Sequence, residues 1–151
     1  MRTVIQRVQK ASVEIDNKIK SEIKNGLLIL IGIEDADNEE DINFLCKKIS
    51  QLRIFDDKEG VMNLSVKDID GEILAISQFT LHAITKKGNR PSYIKAAKPE
   101  ISVPLYKKFV DTLSESIGKE VKTGKFGAHM NVSLINDGPV TIIIDSKNKD
   151  F

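Results

Sequence analysis

The amino-acid sequence predicts an α+β protein, with mainly antiparallel β-sheets forming a barrel-like core and two main helices. Three observations predict it. Apolar residues alternate at period two near both ends of the chain. Helical spacing occurs in only two stretches. Asn–Gly and Asp–Gly pairs punctuate the alternating runs. The chain has 151 residues, 40% of them hydrophobic. That is enough to bury a core without staples, and it excludes a mostly disordered chain. One domain is expected over residues 1–146, with a short polar tail at 147–151.

The elements follow in order. Ala11, Val13 and Ile15 alternate with Ser12 and Glu14 as in a half-buried strand. Asp16-Asn17 is a turn, and Ile19, Ser21 and Ile23 continue the period. Asn25-Gly26 is a stronger turn signal, and Leu27 to Ile31 reads as a buried strand. Residues 34–41 hold six acids and no bases. Asn38 is placed to cap a helix whose stripe is Ile42, Leu45, Ile49 and Leu52. Arg53-Ile54-Phe55 is strand-like, and Glu72 to Leu81 reads as one strand. The second helix starts between Pro99 and Pro104, buries Leu105, Phe109, Leu113 and Ile117, and ends at Gly118. Ala128, Met130, Val132 and Leu134 form an alternating strand. Asn136-Asp137-Gly138-Pro139 turns the chain, and Val140 to Ile144 runs back.

Few chemistries are open to this composition. One cysteine, Cys46, excludes an intrachain disulfide and a cysteine-rich zinc site. Cys46 sits beside a helical stripe and reads as a structural thiol. No nucleophile elbow, phosphate loop, zinc-protease helix or dinucleotide fingerprint is present. The two histidines, His82 and His129, read as solvent-facing. Neither a metal nor a cofactor is expected. The N-terminus is charged and alternating, unlike a signal peptide, and the longest apolar run, Leu27 to Ile33, is too short to span a bilayer. A soluble cytoplasmic protein is expected.

Two polar clusters stand out. In Ser77-Gln78-Phe79-Thr80-Leu81 an apolar strand abruptly gains hydroxyl and amide groups. It is either an ordinary strand end or a row of hydrogen-bonding groups at a pocket mouth. Asn136-Asp137-Gly138-Pro139-Val140-Thr141 is either a plain tight turn or a place where backbone carbonyls are presented unusually.

These clusters, together with Met1 to Val8, Asn25-Gly26-Leu27-Leu28, Leu52 to Phe55, Met62 to Ser65, Gly88-Asn89-Arg90-Pro91-Ser92 and Phe126-Gly127-Ala128, resemble the D-aminoacyl-tRNA deacylases. The resemblance runs from Met1 to about Ser146. It implies a homodimeric, cofactor-free and metal-free hydrolase that cleaves the ester of a D-amino acid, or of glycine mischarged on alanine tRNA, at the acceptor end of tRNA. It also implies site residues. Gln78 and Thr80 would act on the reacting ester. Ser77, Phe79, Phe126 and Met130 would bind substrate. Gly138 and Pro139, as a Gly–cis-Pro pair, would enter the pocket of the partner subunit, with Arg7 supporting them. The resemblance further implies that the tRNA 2′-hydroxyl assists the attacking water. An older view makes Thr80 the nucleophile, but a threonine without an adjacent base is a weak one.

Charge distribution bears on the RNA. There are 23 Lys+Arg and 22 Asp+Glu, a net charge of +1. The total argues against a strongly basic binder, yet five bases and no acids lie in residues 86–98. Lys86, Lys87 and Arg90 are the candidates for the tRNA backbone. A different class of function stays open, a non-catalytic oligomeric module that binds an RNA end or nucleotide.

Overall fold

The computed structural model describes residues 1–150. Its order is β1 (Arg2–Ile15), β2 (Lys18–Ile23), β3 (Gly26–Gly32), α1 (Glu39–Gln51), β4 (Phe55–Asp56), β5 (Met62–Leu64), β6 (Glu72–Ser77), a 3₁₀ turn (Phe79–His82), α2 (Pro99–Ile117), β7 (Lys122–Thr123) and β8 (Asn131–Asp145). The sheets are mainly antiparallel, as expected, with parallel pairing confined to β6. β1 pairs antiparallel with β2, β3 and β8, but β3 and β6 run parallel, as do β6 and β7. The parallel pair follows from the crossover through α1.

β1 organises the sheet. Residues 2–14 pair with β8 along one edge. On the other edge, residues 2–8 pair with β3 and residues 11–15 with β2. Serving two partners in succession curls the sheet until β2 meets β7, where Ser21 Oγ donates to Thr123 O at 2.6 Å. The barrel is thereby nearly closed. Gly26 starts β3 because a Cβ there would lie 1.8 Å from Glu72 O.

Both faces of the central strands are buried, which explains their unbroken apolar runs. Leu27, Ile29, Ile31, Ile73 and Ala75 face α1 and α2 across Ile42, Leu45, Ile49, Phe109 and Leu113. Leu28, Leu74 and Ile76 join Val8, Val13 and Ile23 in a second cluster on the barrel side. Burial on this scale is the main stabilising term. Asn38 caps α1 through a reciprocal bond pair with Asp41. α2 begins at Pro99 and ends at Gly118, as expected, but it also contains Pro104. Its buried face includes Tyr106 rather than Leu105 alone; the Tyr106 hydroxyl donates to Ala75 O at 2.8 Å, and burial pushes its pKa up to about 12. Burial likewise pushes the Cys46 thiol up to about 12, in keeping with a structural role.

Three local expectations change. The strand expected from Glu72 to Leu81 ends at Ser77 and gives way to the 3₁₀ turn. The strand expected to start at Ala128 starts at Asn131. Residues 140–144 do not run back: β8 continues past Gly138-Pro139, and both of its halves pair with β1. The register shifts near Val8 show why. The motif is an outward bend within one strand, since its turn residues are absorbed as extra length against β1. Residues 147–150 are tied back. Lys147 Nζ donates to Asp41 Oδ2 at 2.8 Å, and Lys149 lies over the Phe44 ring. Phe151, the last residue of the expected tail, lies outside the described residues.

Candidate active site

A cavity of about 550 Å³ opens at the carboxyl ends of the parallel strands β3 and β6. Such strand ends commonly hold ligands, because the chain must leave the sheet there and exposes main-chain groups. Gln78 N donates to Ile31 O at 2.7 Å, one last ladder bond beyond Ser77. The chain then breaks into the 3₁₀ turn. That break removes the period-two faces expected for residues 77–81. Instead Gln78 Nε2 reaches Thr80 Oγ1 at 2.5 Å. Ser77, Gln78 and Phe79 line the cavity, with Phe126 and Met130 opposite. Phe79 remains 56% exposed and packs edge-on against Tyr93, with ring centroids 5.0 Å apart.

Several cavity residues escaped the sequence reading. Ile31, Ile33, Tyr93, Ala96 and Ser102 line it as well. Only Tyr93 carried a usable signal, an aromatic in an otherwise basic and polar loop. His129 is exposed at the cavity rim. His82, expected to face solvent, is only 5% exposed, and its Nε2 has no hydrogen-bond partner among the described residues. The 3₁₀ turn rotates it inward, toward Gly32.

Gly138 and Pro139 lie apart from this cavity in their own chain. The bond between them is cis, and both residues are exposed. Arg7, 6% exposed, grips the bend from beneath: Nε donates to Asp137 O at 2.9 Å and Nη1 to Ile54 O at 2.6 Å. Asp137 Oδ2 and Asp56 Oδ1 stand 3.5 and 3.4 Å from the guanidinium and balance its charge. Asn136 ties the base of the bend, accepting from Val140 N at 2.8 Å and donating to Thr141 Oγ1 at 3.2 Å. Gly138 has φ +138°, and a Cβ there would lie 3.0 Å from Val140 N and 3.1 Å from Arg7 Nη2. Lys86, Lys87 and Arg90 are all exposed, and none of them lines the cavity.

Fold and site together define a class: a curled mixed sheet with a pocket lined by amide, hydroxyl and aromatic groups, and a main-chain bend presented outward. The chain belongs to the D-Tyr-tRNA(Tyr) deacylase family, whose model matches residues 4–145. It is 70% identical to a D-aminoacyl-tRNA deacylase of Flavobacterium psychrophilum, over 99% of this chain and all of that one. It is 67% identical to one of Bacteroides fragilis over the same shares. Among solved structures it is similar to a c-Myc DNA unwinding element binding protein, with a TM-score of 0.91, 39% identity, and coverage of 96% of this chain and 98% of that one.

Proposed function

We propose that this protein hydrolyses D-aminoacyl-tRNA, releasing the D-amino acid and free tRNA. The observation that carries the reading is membership of the deacylase family along nearly the whole chain, residues 4–145. The pocket supports it. Its polar wall, Ser77 and Gln78, offers hydrogen bonds; Gln78 also holds the Thr80 hydroxyl, and the one imidazole at the rim, the exposed His129, makes no hydrogen bond to either among the described residues. An aminoacyl ester is activated enough for that inventory. Water adds to the ester carbon, the bond to the ribose oxygen breaks, and that oxygen leaves with a proton. Gln78 and Thr80 are suited to orienting the ester and stabilising the developing oxyanion. Water activation is assigned to the terminal 2′-hydroxyl of the tRNA, the role that the family resemblance implies. Thr80, already engaged by Gln78, is poorly placed to act as a nucleophile.

Selectivity is assigned to the Gly138-Pro139 bend of a second copy, so the working species is a homodimer. A main-chain wall cannot move aside by side-chain rotation. It excludes the L side chain and leaves room for a D side chain or for the hydrogen of glycine. Glycine mischarged on alanine tRNA is therefore a second substrate, and the role is proofreading in the cytoplasm. Among the described residues, no helix is long and apolar enough to cross a membrane.

The test is release of amino acid from D-Tyr-tRNA and L-Tyr-tRNA in parallel. The expected result is turnover of the D form only. No stereoselective turnover would leave a non-catalytic RNA-end module as the reading. A D-Tyr-tRNA ending in 2′-deoxyadenosine is expected to resist hydrolysis. Normal hydrolysis of that substrate, with an inactive Thr80→Ala variant, would make Thr80 the nucleophile.

A further inference from the structure

A second cavity, of about 540 Å³, lies on the other side of the segment that follows the 3₁₀ turn. Its wall carries four cations, Arg2, Lys86, Lys95 and Lys147, against two carboxylates, Glu34 and Asp145. Arg2 is committed to Asp145 at 2.8 Å and to Leu81 O at 2.8 Å, and Lys147 to Asp41 at 2.8 Å. These pairs form a fixed frame. Lys86 and Lys95 make no hydrogen bond or ion pair among the described residues. Glu34 makes no ion pair among the described residues either, so the wall keeps an excess of one positive charge from Lys86 and Lys95, which an anion shared between them neutralises. His82 lines the same cavity, 95% buried by its 5% exposure, with Nε2 unpartnered among the described residues. A buried polar atom without a partner is the kind of capacity that a bound ligand or its water shell satisfies.

We propose that this cavity is a phosphodiester-binding site for the RNA whose 3′ end occupies the first cavity, a proposal that rests on the tRNA reading above. The link is the chain itself. Tyr93 and Ala96 line the first cavity while Lys86 and Lys95, on the same segment, line the second. A strand leaving the first cavity across this segment presents its phosphates to the two lysines. The site thus recruits Lys95 and separates Lys86 from Lys87 and Arg90, which line neither cavity.

The test uses the full chain and the double variant K86Q/K95Q, two exposed positions whose change does not threaten the core. Binding of uncharged, labelled tRNA is followed by fluorescence anisotropy over a range of salt. The variant is expected to bind about ten-fold more weakly, and its salt slope to fall by roughly two. KM for D-aminoacyl-tRNA rises with little change in kcat. Hydrolysis of D-aminoacyl-adenosine, which has no phosphate, stays the same. K18Q/K20Q removes equal charge from exposed positions on β2 and is expected to bind tRNA as the wild type does. Unchanged affinity and slope in K86Q/K95Q, or an equal loss in K18Q/K20Q, overturns the site. A wild type that hydrolyses no D-ester, with the lysine-dependent affinity intact, removes the deacylase reading and leaves the cavity standing.

Discussion

The Gln78–Thr80 turn and the Gly138-Pro139 bend are both candidate parts of the site, yet they are positioned by opposite means. The turn hangs from the end of a buried parallel strand pair, and its polar groups bond to each other. The bend leaves the middle of an antiparallel strand, is exposed, and is held by a nearly buried cation that also grips the Ile54 carbonyl. The ladder positions the first; Arg7 positions the second. Changes at the turn should therefore cost activity and little stability, while changes beneath the bend should cost both.

Arg7→Ala should have the largest effect. It strips the partners from Ile54 O and Asp137 O, a loss of about 3 kcal/mol for a buried charged donor. Deacylation should fall at least about 100-fold and the thermal midpoint should drop clearly. Arg7→Lys, which keeps charge but not the fork, should fall between. A wild-type midpoint for Arg7→Ala would break the contrast.

Gly138→Ala comes next. The left-handed backbone and the close Val140 and Arg7 atoms leave no unstrained place for a methyl group. Activity should fall by roughly ten-fold or more, with a small loss of stability. Comparing D and L substrates on this variant sharpens the assignment of selectivity to the bend.

Thr80→Val should lower kcat about ten-fold while leaving the melting curve close to wild type. Gln78→Ala should do the same. Because the two groups act as a pair, the double variant should be little worse than the more damaged single one.

The smallest effect lies in acid. Burial raises the Asp41 carboxyl, but hydrogen bonds from Lys147, Ser146 and the Asn38 backbone, with the charge of the chain's amino terminus, outweigh it and hold it below its ordinary 3.8. Asp145 is lowered likewise, burial being outweighed by Arg2 and by the backbone N–H groups of Lys147 and Asn148. Folded values below the unfolded ones mean stability that is present above pH ~4 and lost as pH falls through the depressed values. Lys147→Ala should flatten that acid loss modestly in melts from pH 7 to pH 2, without touching the turn or the bend.

Much of this was legible in the chain. Periodicity located the buried strands, Asn38 and Gly118 bounded helices, and the polar residues at 77–80 raised a pocket mouth as one of two readings; Ser77 and Gln78 do line a cavity. What failed shares one cause. The Glu72–Leu81 run looked like one strand because Phe79 and Leu81 are good strand residues, but β6 stops pairing once it passes β3. His82 looked solvent-facing because a loop residue carries no period. Residues 136–140 looked like a hairpin because Asp-Gly-Pro favours turns, and local preference cannot report that both flanks share β1 as partner.

By itself, then, the sequence determined the buried central strands, the two helices and the residue types available for chemistry. Those follow from side-chain polarity and backbone preference, which act over a few residues. The tertiary structure alone decided the parallel β3–β6 pairing, the Gln78–Thr80 contact, the Arg7 grip on a bend 130 residues away, and the gathering of Lys86, Lys95 and His82 around a second cavity. Each depends on which strand lies beside which, and that is settled by the packing of the whole core.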